Sequence, residues 1–434
     1  MYRPATSTGS CCPPRRGEVT AVRPATRIEP PPWMSAPETE AVLAALAAGG
    51  VRARFVGGCV RDALLGRSVK DIDLATPEPP ETVLRRLKSA GLGALPTGID
   101  HGTVTAISGG RPFEVTTLRR DEETFGRHAR VAFTDDWAAD AARRDFTMNA
   151  MYADPDGTIY DPTGGLADLE AGRVRFVGDP AGRIEEDALR LLRFFRFHAH
   201  YGRGEADRAA AAAAAAAAPR LAILSGERLW AETHRLLAAP DPVPVLRLME
   251  RLGILAHLMA EARPDFAALA RLVGIERARG EADPLRRLSL LLPHAASEGL
   301  ARRFRLSRRD AERLNMLTRP TEIAWTFDAA MRAAIYREGQ AAMRDRALLA
   351  WARAEPAATA DWPDLIRRIE EWPPPRLPVA GADVLALGIP AGPELGRLLR
   401  GVEAHWIAGD FRDGRPALLA ELKRRAGAAS DRGY

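Results

Sequence analysis

Lysine is almost missing from this chain. Only Lys70, Lys88 and Lys423 occur, although lysine and arginine together number 62. The positive charge is therefore carried by arginine. The bias runs the whole length of the chain beside abundant Ala, Gly and Pro, so a GC-rich genome explains it more simply than one binding surface does. The functional alternative is that guanidiniums grip phosphate with paired hydrogen bonds. Cysteine is as scarce. Cys11, Cys12 and Cys59 supply neither a disulfide framework nor a zinc-ligand spacing, and a reducing, cytoplasmic setting is expected. No apolar run approaches the roughly 20 residues of a membrane span, so no membrane partner is expected. The Pro-rich start lacks the apolar stretch of a signal peptide.

What is present is an ordinary globular composition, 46% hydrophobic and 27% charged over 434 residues, enough for two to four domains. The net charge of +5 permits a polyanionic partner without requiring one. Residues 1–33, with Pro13-Pro14 and Pro30-Pro31-Pro32, offer little to bury and are expected to be a disordered extension, with Met34 an alternative start.

From about Arg52 to Val177 the pattern is mixed. Arg54–Val56 and Asp71–Leu74 predict strands, Val60–Leu65 and Pro80–Ala90 predict helices, and Thr103–Ile107 with Phe113–Leu118 predicts a hairpin through Gly109-Gly110. The polar stretch Arg119–Asp136 is expected to be mobile. Strand signals fade after Asp179. Ile184–Tyr201, Glu227–Ala238 and Val243–Leu252 carry helical periodicity, and the alanine run Ala209–Ala218 predicts a helix by propensity alone. A Pro-rich joint at 373–375 precedes a last helical piece. The fold class is α+β: a head built on a small mixed or antiparallel sheet with helices, followed by an all-helical remainder.

The chemistry concentrates in Gly57-Gly58-Cys59-Val60-Arg61-Asp62, followed by Asp71-Ile72-Asp73-Leu74. Residues two apart on a strand share a side, so Asp71 and Asp73 offer two carboxylates to one point. Hard, oxygen-seeking magnesium is held this way beside a triphosphate. The glycines allow a backbone to approach phosphate, and the helix start that follows donates N–H groups. Either piece alone is usually a turn or a solvated strand edge; their order and spacing together carry the signal.

This block resembles the nucleotidyltransferase superfamily related to DNA polymerase beta, and more closely its class II branch of bacterial CCA-adding enzymes and poly(A) polymerases. The resemblance continues through Phe113–Arg119, with Glu114 a candidate third catalytic carboxylate or else an arginine's partner. It extends to Arg143-Arg144-Asp145-Phe146-Thr147-Met148-Asn149-Ala150, then to Asp161-Pro162-Thr163-Gly164-Gly165 with Asp168-Leu169. It implies a polymerase-beta-like head at 34–178, a helical neck at 179–265 carrying the nucleotide-selecting helix, and a body and tail at 266–434 that bind transfer RNA. It implies that Gly57, Gly58, Arg61, Arg144, Asp145 and Asn149 contact the incoming nucleotide. It also implies Mg2+ as cofactor, held by Asp71 and Asp73.

Glu186-Asp187-Ala188-Leu189-Arg190 bears on specificity. Asp187 and Arg190, three apart, are expected on one helix face, where the bland reading is an ion pair. The sharper reading starts from the bases. Cytosine and adenine both place an amino donor beside a ring-nitrogen acceptor, which an aspartate and an arginine match. Uracil and guanine reverse both groups. Arg193 and Arg196 follow on the same segment with a structural or backbone-binding role.

The resemblance thus implies addition of CMP, CMP and AMP to the transfer-RNA 3′ end from CTP and ATP, by a chain expected to act as a monomer. Thr97–Val104 and the tail around Gly381-Ala382-Asp383 favour this over polyadenylation. Addition of CC only or A only is a further alternative. Phe125 departs from the polar or acidic residue usual there. A non-catalytic helical RNA-binding protein is disfavoured by the intact Asp71, Asp73, Arg144, Asp187 and Arg190. No histidine directly precedes an aspartate, so the metal-dependent phosphohydrolase set of some relatives is missing.

Overall fold

The computed structural model describes residues 22–48, 50–125, 128–321, 323–355 and 361–430. The expected extension at 1–33 falls partly outside these residues, and its described part is not disordered. Pro24–Arg27 is a strand, β1, and Pro32–Met34 is a single 3-10 turn. The elements that follow are α1 (Pro37–Ala47), β2 (Arg54–Val56), α2 (Gly58–Leu64), β3 (Ile72–Thr76), α3 (Pro80–Ser89), β4 (Gly93–Gly98), β5 (Thr103–Ser108) and β6 (Arg111–Thr117). Next come β7 (Arg119–Phe125), β8 (His128–Phe133), α4 (Trp137–Ala142), β9 (Tyr152–Ala153), β10 (Thr158–Tyr160), α5 (Gly165–Ala171), α6 (Pro180–Glu186), α7 (Leu189–Tyr201) and α8 (Arg208–Ala217).

The chain divides into two compact units, residues 1–224 with 251–258, and residues 225–250 with 259–434. The first holds an eight-stranded sheet in the order β1-β10-β9-β2-β3-β6-β5-β4. Its pairings are antiparallel except β3 with β6, which run parallel. The parallel pair forms because α3, β4 and β5 intervene and reverse the chain before β6. β3 buries Ile72, Leu74 and Ala75 and leaves Asp73 half-exposed, the alternation of a strand with one working side. Val56, Ala75, Trp137, Tyr152 and Tyr160 share a core cluster. The Arg54 guanidinium lies 4.5 Å from the Trp137 ring centre and 3.7 Å from that of Tyr160, and is neutralised by Asp154 at 3.0 Å.

Two stretches carry structure that the sequence pattern did not predict. The polar stretch Arg119–Asp136 contains the two-stranded antiparallel sheet β7–β8, and Asp136 caps α4. The single helix expected over Ile184–Tyr201 is two helices. Asp187 has extended backbone (φ −148°, ψ 108°), and its carboxylate accepts the N–H of Leu189, 3.1 Å away. An aspartate that bonds its own downstream backbone competes with helix continuation.

In the second unit, strands are absent among the described residues. A buried ion network ties its helices: Arg286 donates to Glu276 at 2.9 Å and Asp345 at 2.7 Å, and Arg287 donates to Glu276 at 2.6 Å. Arg287 also donates to the carbonyls of Leu237 and Ala239, at 2.5 and 2.7 Å. The tail forms its own core from Val379, Val384, Leu398, Val402, Trp406, Leu418 and Leu422.

Candidate active site

The sheet register assembles the acidic centre. Asp73 on β3 pairs directly with Glu114 on β6. Asp71 sits one residue before β3 rather than within it. Burial, then the charges of Glu114 and Asp71, push the Asp73 carboxyl up to about 6, against the opposing pull of Arg144. Three hard oxygen donors that repel one another in this way fit a divalent cation, which would cancel the repulsion. Among the described residues no group of three such side chains is drawn together into a finished metal cage.

Gly57 adopts φ +74°, a conformation other residues rarely take, and its N–H donates to the Met151 carbonyl at 3.3 Å. The turn carries the chain from β2 straight into α2. A Cβ at Gly57 would come within 3.8 Å of the Arg144 guanidinium, so the glycine turn and this arginine are neighbours.

Arg144 is aimed by a buried carboxylate. Asp140, one turn earlier on α4, accepts from Arg144 Nε at 3.1 Å and Nη2 at 2.8 Å, from Arg143 at 2.9 Å, and from the Tyr152 hydroxyl at 2.8 Å. Burial alone would raise the Asp140 carboxyl; Arg144, Arg143 and the Tyr152 hydroxyl outweigh it and hold it down at about 2. The same contacts raise Arg144 further above its usual range, against burial.

A second chain of contacts joins the other expected residues. Arg61 is buried and donates to Asn149 Oδ1 at 2.6 Å and to both oxygens of Asp62, at 3.1 and 2.9 Å. Its guanidinium also stacks over Tyr201 at 4.2 Å. Asn149 donates to Asp145 Oδ1 at 3.2 Å, and Asp145 accepts from Arg193 Nε at 2.8 Å. Arg61, Asp145 and Arg193 are thus already engaged with protein groups. Arg196 stacks on Phe197, 4.5 Å from the ring centre. Gly58 opens α2 beside Arg61.

The geometry of Asp187 and Arg190 departs from the expected shared helix face. Asp187 lies between α6 and α7, while Arg190 donates to the carboxylate of Glu186 and to the carbonyl of Arg183 at 3.0 Å. Asp161 and Asp168 serve the local fold. Asp161 accepts from Gly165 and Leu166 at 2.8 and 2.9 Å and so caps α5. Asp168 accepts from Thr147 Oγ1 at 2.7 Å and Arg175 at 2.8 Å.

Sequence reasoning did not single out Asp140 or Arg183. Asp140 is legible in hindsight by its helical spacing of four from Arg144. No local pattern marks Arg183. Cys59 packs behind the acidic strand, its buried thiol pushed up to about 12 by desolvation.

Similarity to known proteins bears on the family. Residues 53–175 match the poly A polymerase head domain family, and residues 207–269 match a family described as a probable RNA and SrmB-binding site of polymerase A. The chain is 33% identical over 396 residues to the mitochondrial CCA tRNA nucleotidyltransferase 1 of Mus musculus, covering 86% of each. It is 32% identical over 392 residues to the CCA-adding enzyme of Lacticaseibacillus paracasei, covering 88% of this chain and 93% of that one. Among solved structures, the Bacillus stearothermophilus CCA-adding enzyme in complex with CTP superposes with a TM-score of 0.73 at 29% identity, over 91% of this chain and 98% of that one.

Proposed function

The chain belongs to the CCA tRNA nucleotidyltransferase family, and we propose that it adds CMP, CMP and AMP in turn to the 3′ end of transfer RNA from CTP and ATP. The observation that carries this reading is the acidic pair Asp73–Glu114 with Asp71, set beside Arg144 and the Gly57 turn.

The RNA 3′-hydroxyl attacks the α-phosphorus of the nucleotide. A new P–O bond forms, the bond to the β-phosphate oxygen breaks, and pyrophosphate leaves. Asp71, Asp73 and Glu114 would hold magnesium. When bound, the metal lowers the pKa of the attacking hydroxyl and neutralises the leaving phosphates. Arg144, held by Asp140, faces the triphosphate. The Gly57-Gly58 turn lets backbone N–H groups approach the same phosphates.

Asp145, Asn149 and Arg61 form the wall behind the sugar, and their mutual hydrogen bonds fix its shape. Arg193 braces that wall through Asp145, and Arg196 stands on the same helix. Asp187 and Arg190 select the base, Asp187 accepting from the amino group and Arg190 donating to the ring nitrogen. For Arg190 to do so it must exchange its contact with Glu186 for the base. Contacts in the tail set RNA affinity. No helix among the described residues is long and apolar enough to cross a membrane.

The test is incubation with transfer RNA lacking its CCA end, with labelled CTP and ATP, followed by sequencing of the products. A CCA end supports the reading. A run of A identifies a poly(A) polymerase, and C-C or A alone identifies a partial enzyme.

A further inference from the structure

We propose that Arg183 is a positioning residue that sets the triphosphate grip and the base-selecting turn in register. It rests on the reading above, in which Arg144 meets the triphosphate and Asp187 with Arg190 reads the base.

The guanidinium is buried, at 8% exposure, and every one of its nitrogens is used. Nε donates to the Val177 carbonyl at 3.0 Å. Nη2 donates to the carbonyls of Ala142 and Arg144, the latter at 2.8 Å. Nη1 donates to both oxygens of Glu186, at 3.0 and 2.8 Å. The Arg183 carbonyl, in turn, accepts from Arg190 at 3.0 Å. One side chain therefore fixes the turn that presents Arg144, the bend at Val177, and the carboxylate that holds Arg190.

Planar donors in a fixed fork suit this task, because they hold several acceptors at set angles and lysine cannot. Nothing else among the described contacts bonds both the Ala142–Arg144 backbone and the Glu186 side chain. Loss of Arg183 should let the two halves drift, and a displacement of about 1 Å in a nucleotide site costs on the order of 100-fold in efficiency.

The experiment measures kcat/KM for CTP, ATP, UTP and GTP on one transfer RNA, using wild type, Arg183→Lys, Arg183→Gln and Asp187→Asn. Thermal melting and RNA affinity are recorded alongside. A ratio of efficiencies does not depend on the fraction of molecules folded, so it reads position rather than stability. The expected result is a CTP:UTP ratio reduced about ten-fold or more in Arg183→Gln, mostly through KM, with partial recovery in Arg183→Lys and RNA affinity unchanged. A wild-type ratio in both Arg183 variants overturns the proposal, as does complete loss of addition in both. Asp187→Asn separates the premises. If it leaves the ratio unchanged, the base-selection reading fails; if it shifts the ratio while the Arg183 variants do not, only the role of Arg183 fails.

Discussion

Asp73 and Glu114 stand side by side across the one parallel ladder of the sheet, β3 against β6. Two carboxylates in this position, with Asp71 adjacent, repel each other in the metal-free protein. Asp73→Asn is therefore expected to abolish nucleotide addition and leave transfer-RNA binding nearly unchanged. In chelator it should melt no lower than wild type. Magnesium should raise the melting temperature of wild type and not that of the variant. Near-wild-type turnover by Asp73→Asn in magnesium would show that this carboxylate is not part of the chemistry.

Asp140 gives a pH dependence with a defined sign. Its folded pKa, about 2, lies below the ordinary 3.8, so it stabilises the fold at neutral pH. That contribution, on the order of 2 kcal/mol, is fully present above the unfolded value and is lost as pH falls from about 4 through 2. Asp140→Asn should lower stability at pH 7 by at least that much, since Arg144 is left without its buried counter-charge. It should also flatten the acid limb of the unfolding curve. Equal acid sensitivity in both proteins would contradict the assignment.

Specificity is best tested at Asp187 with asparagine rather than alanine. The side chain also bonds the Leu189 N–H, and removing that bond would cost about 1 kcal/mol of stability for reasons unrelated to the base. Asparagine keeps an acceptor oxygen for the backbone but adds an N–H donor toward the nucleotide. Discrimination against UTP and GTP should fall by roughly ten-fold or more, since each mismatched buried group costs about 1–3 kcal/mol. An unchanged four-nucleotide profile would return Asp187 to a purely structural role.

A chain beginning at Met34 should be less stable than one beginning at Val22. It loses β1 from the sheet edge beside β10, the Ile28 N–H bond to Gly157 at 2.9 Å, and Trp33, whose ring packs edge-on to Phe55 at 4.9 Å. Loss of the tryptophan contact alone should cost roughly 2 kcal/mol. Melting of the two truncations decides it, and equal melting temperatures would return β1 and Trp33 to a dispensable arm.

The sequence by itself determined the head and pointed to its acidic centre. The acidic run Asp71-Ile72-Asp73 at the start of β3 and the glycine at a turn with φ +74° are local features, readable without knowing the tertiary contacts. It also placed most elements of the head: the 103–118 hairpin follows from alternation and Gly-Gly turn chemistry, and Arg54–Val56 is the short strand that runs into Gly57-Gly58. It did not reveal that β1 completes the sheet, since its side chains are exposed and its place is set by backbone pairing with β10 and by Arg27 on Asp156.

The break at Asp187 was equally hidden, because apolar periodicity runs through it and a single side-chain-to-backbone bond interrupts it. Tertiary structure alone decided that Asp73 faces Glu114, 41 residues away, and that Arg61 bonds Asp62 and Asn149. It alone brought Arg183 onto the carbonyls of Ala142 and Arg144, 41 and 39 residues earlier. The physical reason is the same in each case. A guanidinium or carboxylate shows its charge in the sequence, but which partner neutralises it depends on which elements the sheet and helices bring within hydrogen-bond reach.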